Sequence, residues 1–227
     1  MGVHDGHRKR VKDEFLERGL DGIPEHRVLE LLLYYSVPQG DVNPLAHRLI
    51  EQFGSLAGVL DAPQEELLQV PGIGEHTMTL LKLFPAVGAR YLKSRKREGQ
   101  SIRSTEDARE LFAPYFFGQR NEVVCLACLD AKYKLLNVRV LSEGSANGAE
   151  ITTRKVVEAA FAQNASVLLL AHNHTSGVAV PSEADRQTTR FLAEKLRGLG
   201  LYLKDHLVFS DDEAISMYDS GMMDGLY

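Results

Sequence analysis

The chain has 227 residues, 44% of them hydrophobic and 25% charged, which is ordinary globular material, long enough for one large domain or two small ones. A formal net charge of −5 excludes a molecule coated in positive charge for nucleic acid, and apolar runs such as Val167 to Ala171 fall far short of the roughly 20 residues that a membrane span needs. The two cysteines, Cys125 and Cys128, lie inside an apolar run and read as buried structural thiols, so the expected compartment is reducing and cytoplasmic.

From Phe15 to Tyr91 apolar residues recur at spacings of three and four, in "HRVLELLLYYSV", "PLAHRLIEQFGSLAGVLDA" and "EELLQVPGIGEHTMTLLKLF". Short breaks carrying Pro or Gly separate them, which predicts a small helical domain over 1–92. Cations bunch at Arg8 to Lys12 and at Lys93 to Arg97. They read either as a solvated helix end and a linker or as two local phosphate contacts. Between two helical segments stands P-G-I-G, where Gly72 and Gly74 permit a tight hairpin whose N–H groups can face an anion. This resembles the helix-hairpin-helix module that grips DNA backbone without reading sequence. Glu75, just past the second glycine, favours the plainer reading that the glycines only close a helical hairpin.

Residues 93–102 are polar and without periodicity, and read as a linker. From 103 to 227 the pattern changes. "NEVVCLACLD" and "KLLNVRVLSEG" read as strands joined by a short turn, and "TTRKVVEAAFAQN" as a helix. "ASVLLLA" reads as a buried central strand, "PSEADRQTTRFLAEKLRGLG" as a helix closed by glycine, and "LKDHLVFS" as a further strand. The alternation predicts a mixed α/β (α+β) domain behind the small all-α one.

The central strand runs into "AHNHTSGVAVPSEADRQ". Alternation along a strand puts His172 and His174 on one face, roughly 6.5 Å apart, which suits two imidazoles converging on one zinc. Asp185, in the first turn of the next helix, can supply the third ligand, and three protein ligands leave a fourth position open, as in catalytic zinc sites. Taken singly these residues have plainer readings: the histidines as surface or hydrogen-bonded groups, and Ser182-x-x-Asp185 as a helix cap. In combination, H-x-H, seven residues and S-x-x-D at a strand, a Gly-containing loop and a helix start look like the JAMM (MPN-type) metallohydrolase motif.

The likeness extends beyond the motif. The stretch from Gly6 to Leu56, "VPGIG", "TTRKVVEAAFAQNASVLLLAHNHTSG", "PSEADRQTT" and "LKDHLVF" together resemble the RadC family, from about Gly6 to the C-terminus. That resemblance implies a helix-hairpin-helix-bearing region followed by a JAMM/MPN domain, zinc on His172, His174 and Asp185, and Ser182 available to hydrogen-bond the oxyanion of a tetrahedral intermediate. Two departures stand out. Thr175 occupies the place of the family's proline. The glutamate that JAMM enzymes use as general base falls here on Arg139 or Val140, neither of which takes a proton from water. Glu143 is the candidate substitute, sharing the strand face of Arg139 under strict alternation but about 13 Å further along unless the strand bulges. Glu150 is the other nearby acid.

The function expected is therefore that of a zinc-dependent JAMM-type metallopeptidase with a peptide or protein substrate, and with weak non-specific DNA contact at Gly72 and Gly74. The alternative is a noncatalytic DNA-binding or interaction module with a structural or vestigial zinc site. A metal phosphodiesterase fits less well, because such sites usually gather more carboxylates and a second metal.

Overall fold

The structure, a computed structural model, describes residues 3–95, 99–144, 153–210 and 213–226. The chain forms two compact units, 1–88 and 89–227. Among the described residues no helix is long and apolar enough to cross a membrane.

The first unit packs α1 (Val3–Arg18), α2 (Glu25–Ser36), α3 (Asn43–Phe53), α4 (Leu56–Asp61), α5 (Gln64–Leu68) and the first part of α6 (Glu75–Ser94). Its core gathers Leu29 and Leu33 of α2, Leu45 and Leu49 of α3, Val59, Leu67 and Leu81. The hairpin between α5 and α6 belongs to this core, because Val70 and Ile73 are buried in it. Gly72 has φ +100°, a left-handed conformation, and faces Leu45. The Arg48 guanidinium donates to the Pro71 carbonyl at 2.7 Å. The hairpin is thereby fixed from both sides.

The second unit is built on five strands in the order β2-β1-β3-β4-β5, namely β1 (Val123–Leu129), β2 (Leu135–Glu143), β3 (Val167–Asn173), β4 (Tyr202–Phe209) and β5 (Ala214–Ser216). All pairs are antiparallel except β3 with β4, which are joined by the crossover helix α9 (Glu183–Arg197). Both faces of the sheet are covered, so β1 and the first five residues of β3, Val167 to Ala171, read as unbroken apolar runs. On one face Val124, Leu126, Cys128, Leu168 and Leu170 pack against α9 and α8 (Thr153–Ala162). On the other, Cys125, Ala127, Leu129, Leu169, Ala171 and Phe209 pack against α7 (Thr105–Phe116). The two cysteines therefore point to opposite faces and cannot chelate one ion. Burial is the main cause that pushes the Cys125 thiol up to about 12 and the Cys128 thiol up to about 11, so both stay protonated and inert at neutral pH.

Candidate metal centre

β3 is continuous through His172 and Asn173, and its line is prolonged one residue further because the His174 N–H donates to the Phe209 carbonyl at 2.7 Å. Alternation then sends His172 and His174 to the α9 face, while Asn173 points to the other. There Asn173 accepts from the Val123 N–H at 2.7 Å and donates to the Asn121 carbonyl at 3.1 Å, which fastens the end of β3 to the start of β1. A turn at Thr175 to Gly177, with Gly177 at φ +78°, reverses the chain and leads it to α9.

Ser182 caps α9 in a reciprocal box. Its Oγ accepts from the Asp185 N–H at 3.1 Å, while Asp185 Oδ2 accepts from the Ser182 N–H at 2.7 Å and from the Ser182 hydroxyl at 2.5 Å. The cap and the ligand readings of Ser182-x-x-Asp185 are thus compatible, because the box leaves Asp185 facing the histidines. Asp185 Oδ1 is 3.3 Å from His172 Nε2, Asp185 Oδ2 is 3.4 Å from His174 Nε2, and the two Nε2 atoms are 3.0 Å apart. Tetrahedral zinc at about 2.0–2.1 Å from its ligands spaces them about 3.3 Å from one another, so this donor set fits the ion.

Electrostatics agrees with that fit. Burial holds the His172 imidazole at about 4, with His174 pushing in the same direction and Asp185 against it. Burial works to raise the Asp185 carboxyl, but the Ser182 hydroxyl, the neighbouring imidazoles and the Ser182 N–H outweigh it and leave the group below its ordinary value. Neutral His172 and ionised Asp185 are the forms that bind a metal. Side chains of His174 and Asp185 retain 16% and 19% of their exposure, so the centre opens to solvent on one side.

Two residues of this neighbourhood had no signal of their own in the sequence. His206, buried in β4, places Nε2 2.8 Å from His172 Nδ1, and its Nδ1 lies 2.6 Å from the hydroxyl of Thr189. The preceding Asp205 holds the backbone there, accepting from the His206 N–H at 2.7 Å, the Tyr218 N–H at 3.0 Å and the Ser216 hydroxyl at 2.6 Å. An isolated histidine in an apolar strand is weak evidence of anything, but Thr189 stands four residues after Asp185, on the same face of a helix.

The candidate base is placed elsewhere. Val124 pairs with His172 on one side and Ser142 on the other, and Leu126 with Leu170 and Arg139, whereas Glu143 pairs with Val123. Directly opposed residues share a face, so Arg139 and Ser142 lie on the His172 face and Glu143 on the other. The cause is a bulge: Ser142 and Val140 pair with consecutive residues, leaving Leu141 as the extra one and reversing the alternation beyond it. Glu150 lies outside the described residues.

Fold and centre together define the class. Residues 102–222 match the model of the RadC-like JAB domain, here preceded by a helical region. A UPF0758 protein of Ruegeria pomeroyi is 33% identical over 217 residues, spanning 96% of this chain and 97% of its own. One from Stutzerimonas stutzeri is 32% identical over 215 residues, with 95% and 96% covered, and one from Azotobacter vinelandii is 31% identical over 224, with 98% and 100%. The chain belongs to the RadC family.

Proposed function

We propose that His172, His174 and Asp185 hold a zinc ion and that the chain is a metal-dependent hydrolase acting on amide bonds of a peptide or protein. The observation that carries this reading is the convergence of two imidazole Nε2 atoms and one carboxylate within 3.0 to 3.4 Å, on a side open to solvent. Zinc bound there would polarise a carbonyl and bring the pKa of a water in its fourth position to about 7. The residues of the chain contribute charge and order: two imidazole rings fixed at the end of a central strand, and a carboxylate fixed by a helix cap. Ser182 donates its hydroxyl to Asp185 in this geometry, so an oxyanion bond from Ser182 requires that hydroxyl to rotate away from the carboxylate.

A second reading, a noncatalytic zinc module, draws on the placement of Glu143 on the opposite sheet face and of Arg139 on the face of the metal centre. Metal content tests what the two share. The purified chain is expected to carry one zinc, lost when His172 and His174 are both changed to Ala; stoichiometric zinc surviving that double substitution refutes the assignment.

A further inference from the structure

We propose that His206 and Thr189 are positioning residues for the metal centre, holding the His172 ring in the tautomer that leaves Nε2 free to bind. The inference rests on the metal reading of the triad.

The argument follows protons one at a time. His172 can ligate through Nε2 only if its single ring proton is on Nδ1. That N–H points at His206 Nε2, 2.8 Å away, which must then be the acceptor nitrogen of the second ring. The proton of His206 is thereby assigned to Nδ1, 2.6 Å from Thr189 Oγ1, so the hydroxyl oxygen accepts. The hydroxyl proton needs another destination, and the carbonyl of Asp185, 2.6 Å from Thr189 Oγ1, can only accept. Each link has one place for its proton, and the chain ends on a group that cannot return it. The neighbouring Met217 sulfur, 3.6 Å from the same hydroxyl, is a weak acceptor and gives no competing end of similar strength.

His174 is fixed more simply. Its Nδ1 lies 3.0 Å from the Val178 carbonyl, which forces the proton onto Nδ1 and leaves Nε2 free. A ligating histidine commonly donates its remote N–H to a carbonyl or carboxylate. His172 has a second imidazole instead, which can donate as readily as accept, and only the hydroxyl behind it removes the ambiguity. The relay also ties three elements together, because His172 lies on β3, His206 on β4, and Thr189 with Asp185 on α9.

Removing the hydroxyl should reverse the whole chain without touching a ligand. In Thr189→Val the His206 Nδ1–H faces no acceptor inside a buried site; the ring is better satisfied with its proton on Nε2, donating to His172 Nδ1, and His172 is driven to the Nε2–H form that cannot bind metal. The experiment uses the full chain, wild type and Thr189→Val. The tautomer of His172 is read in the metal-stripped protein from long-range nitrogen–proton NMR couplings, and zinc affinity from competition with a chromophoric chelator. Expected are Nδ1–H in the wild type, Nε2–H in Thr189→Val, a roughly 10- to 100-fold loss of zinc affinity in the variant, and near-normal binding in Thr189→Ser. Thr189→Ala reports the same loss should valine at that site fail to fold. The same tautomer in both proteins, or equal affinity, overturns the proposal while a zinc-loaded wild type leaves the metal reading standing. A wild type that takes no zinc yet shows the tautomer change refutes the metal reading and leaves the relay intact.

Discussion

Asp185 serves two structures at once, capping α9 through Oδ2 and facing His172 through Oδ1. A carboxylate in the first helical turn is stabilised by the helix N-terminus, so the negative charge that the proposed metal would draw on is also one the helix favours. Protons should act on the metal-free centre with a definite sign. Burial holds His172 at about 4, below its ordinary 6.5, so the unfolded chain binds a proton that the folded chain refuses. The resulting contribution to stability is fully present above about 6.5 and is lost progressively as pH falls toward about 4. His206, held well below its ordinary value chiefly by burial, and Asp185, held below the ordinary carboxylate value, add in the same direction. The metal-stripped protein is therefore expected to melt at a lower temperature at pH 5 than at pH 7, and His172→Ala to show a flatter profile. A wild-type melting temperature that does not change from pH 7.5 to 4.5 would contradict neutral buried imidazoles.

The expectation about a general base turns on strand β2. Without a bulge Glu143 would share the face of Arg139; the extra residue Leu141 turns it to the face of Val123 and Cys125, where its charge helps to raise the Cys125 thiol. Glu143→Gln is accordingly expected to leave any peptide hydrolysis unchanged within about twofold, and general-base help worth 10² to 10⁴-fold to be missing from the wild type. Rates on a peptide library for wild type, Glu143→Gln and Arg139→Glu check this; abolished activity with retained zinc in Glu143→Gln would place that carboxylate at the metal after all. Much of the architecture was legible beforehand, for a local reason. The run Val167 to Ala171 is short and wholly apolar, as suits a strand covered on both faces, and His172, His174 and Asp185 stand within one strand end, one loop and one helix start. The bulge was not legible, because Leu141 and Ser142 satisfy alternation equally well on paper and only the pairing with Val124 and Cys125 selects the slip. The relay was not legible either, since it joins His172 to a strand 34 residues later in sequence.

On the scale of the whole molecule, three cations of the helical unit are already engaged within the chain. Arg8 donates to the carbonyls of Val37, Pro38 and Gly40, Lys12 lies 5.0 Å above the Tyr35 ring, and Arg48 braces the glycine hairpin. The first turn of α6 beyond that hairpin carries Glu75. Any DNA binding by this chain is expected to be weak, indifferent to sequence and confined to residues before about 100. The slope of log affinity against log salt should not exceed about 3 in magnitude, as for a few phosphate contacts. Titrations over a salt series, with an isolated 103–227 fragment beside the full chain, measure it; equal affinity of that fragment would overturn the assignment. The position of Arg139 bears on how copies of the chain avoid one another. β2 is one of the two edge strands of the sheet among the described residues, and a nine-residue edge is a template on which a second chain can stack. An exposed guanidinium in the middle of "NVRVL" and a bulge two residues beyond it interrupt that template, and so act as a barrier to aggregation whatever their effect on catalysis.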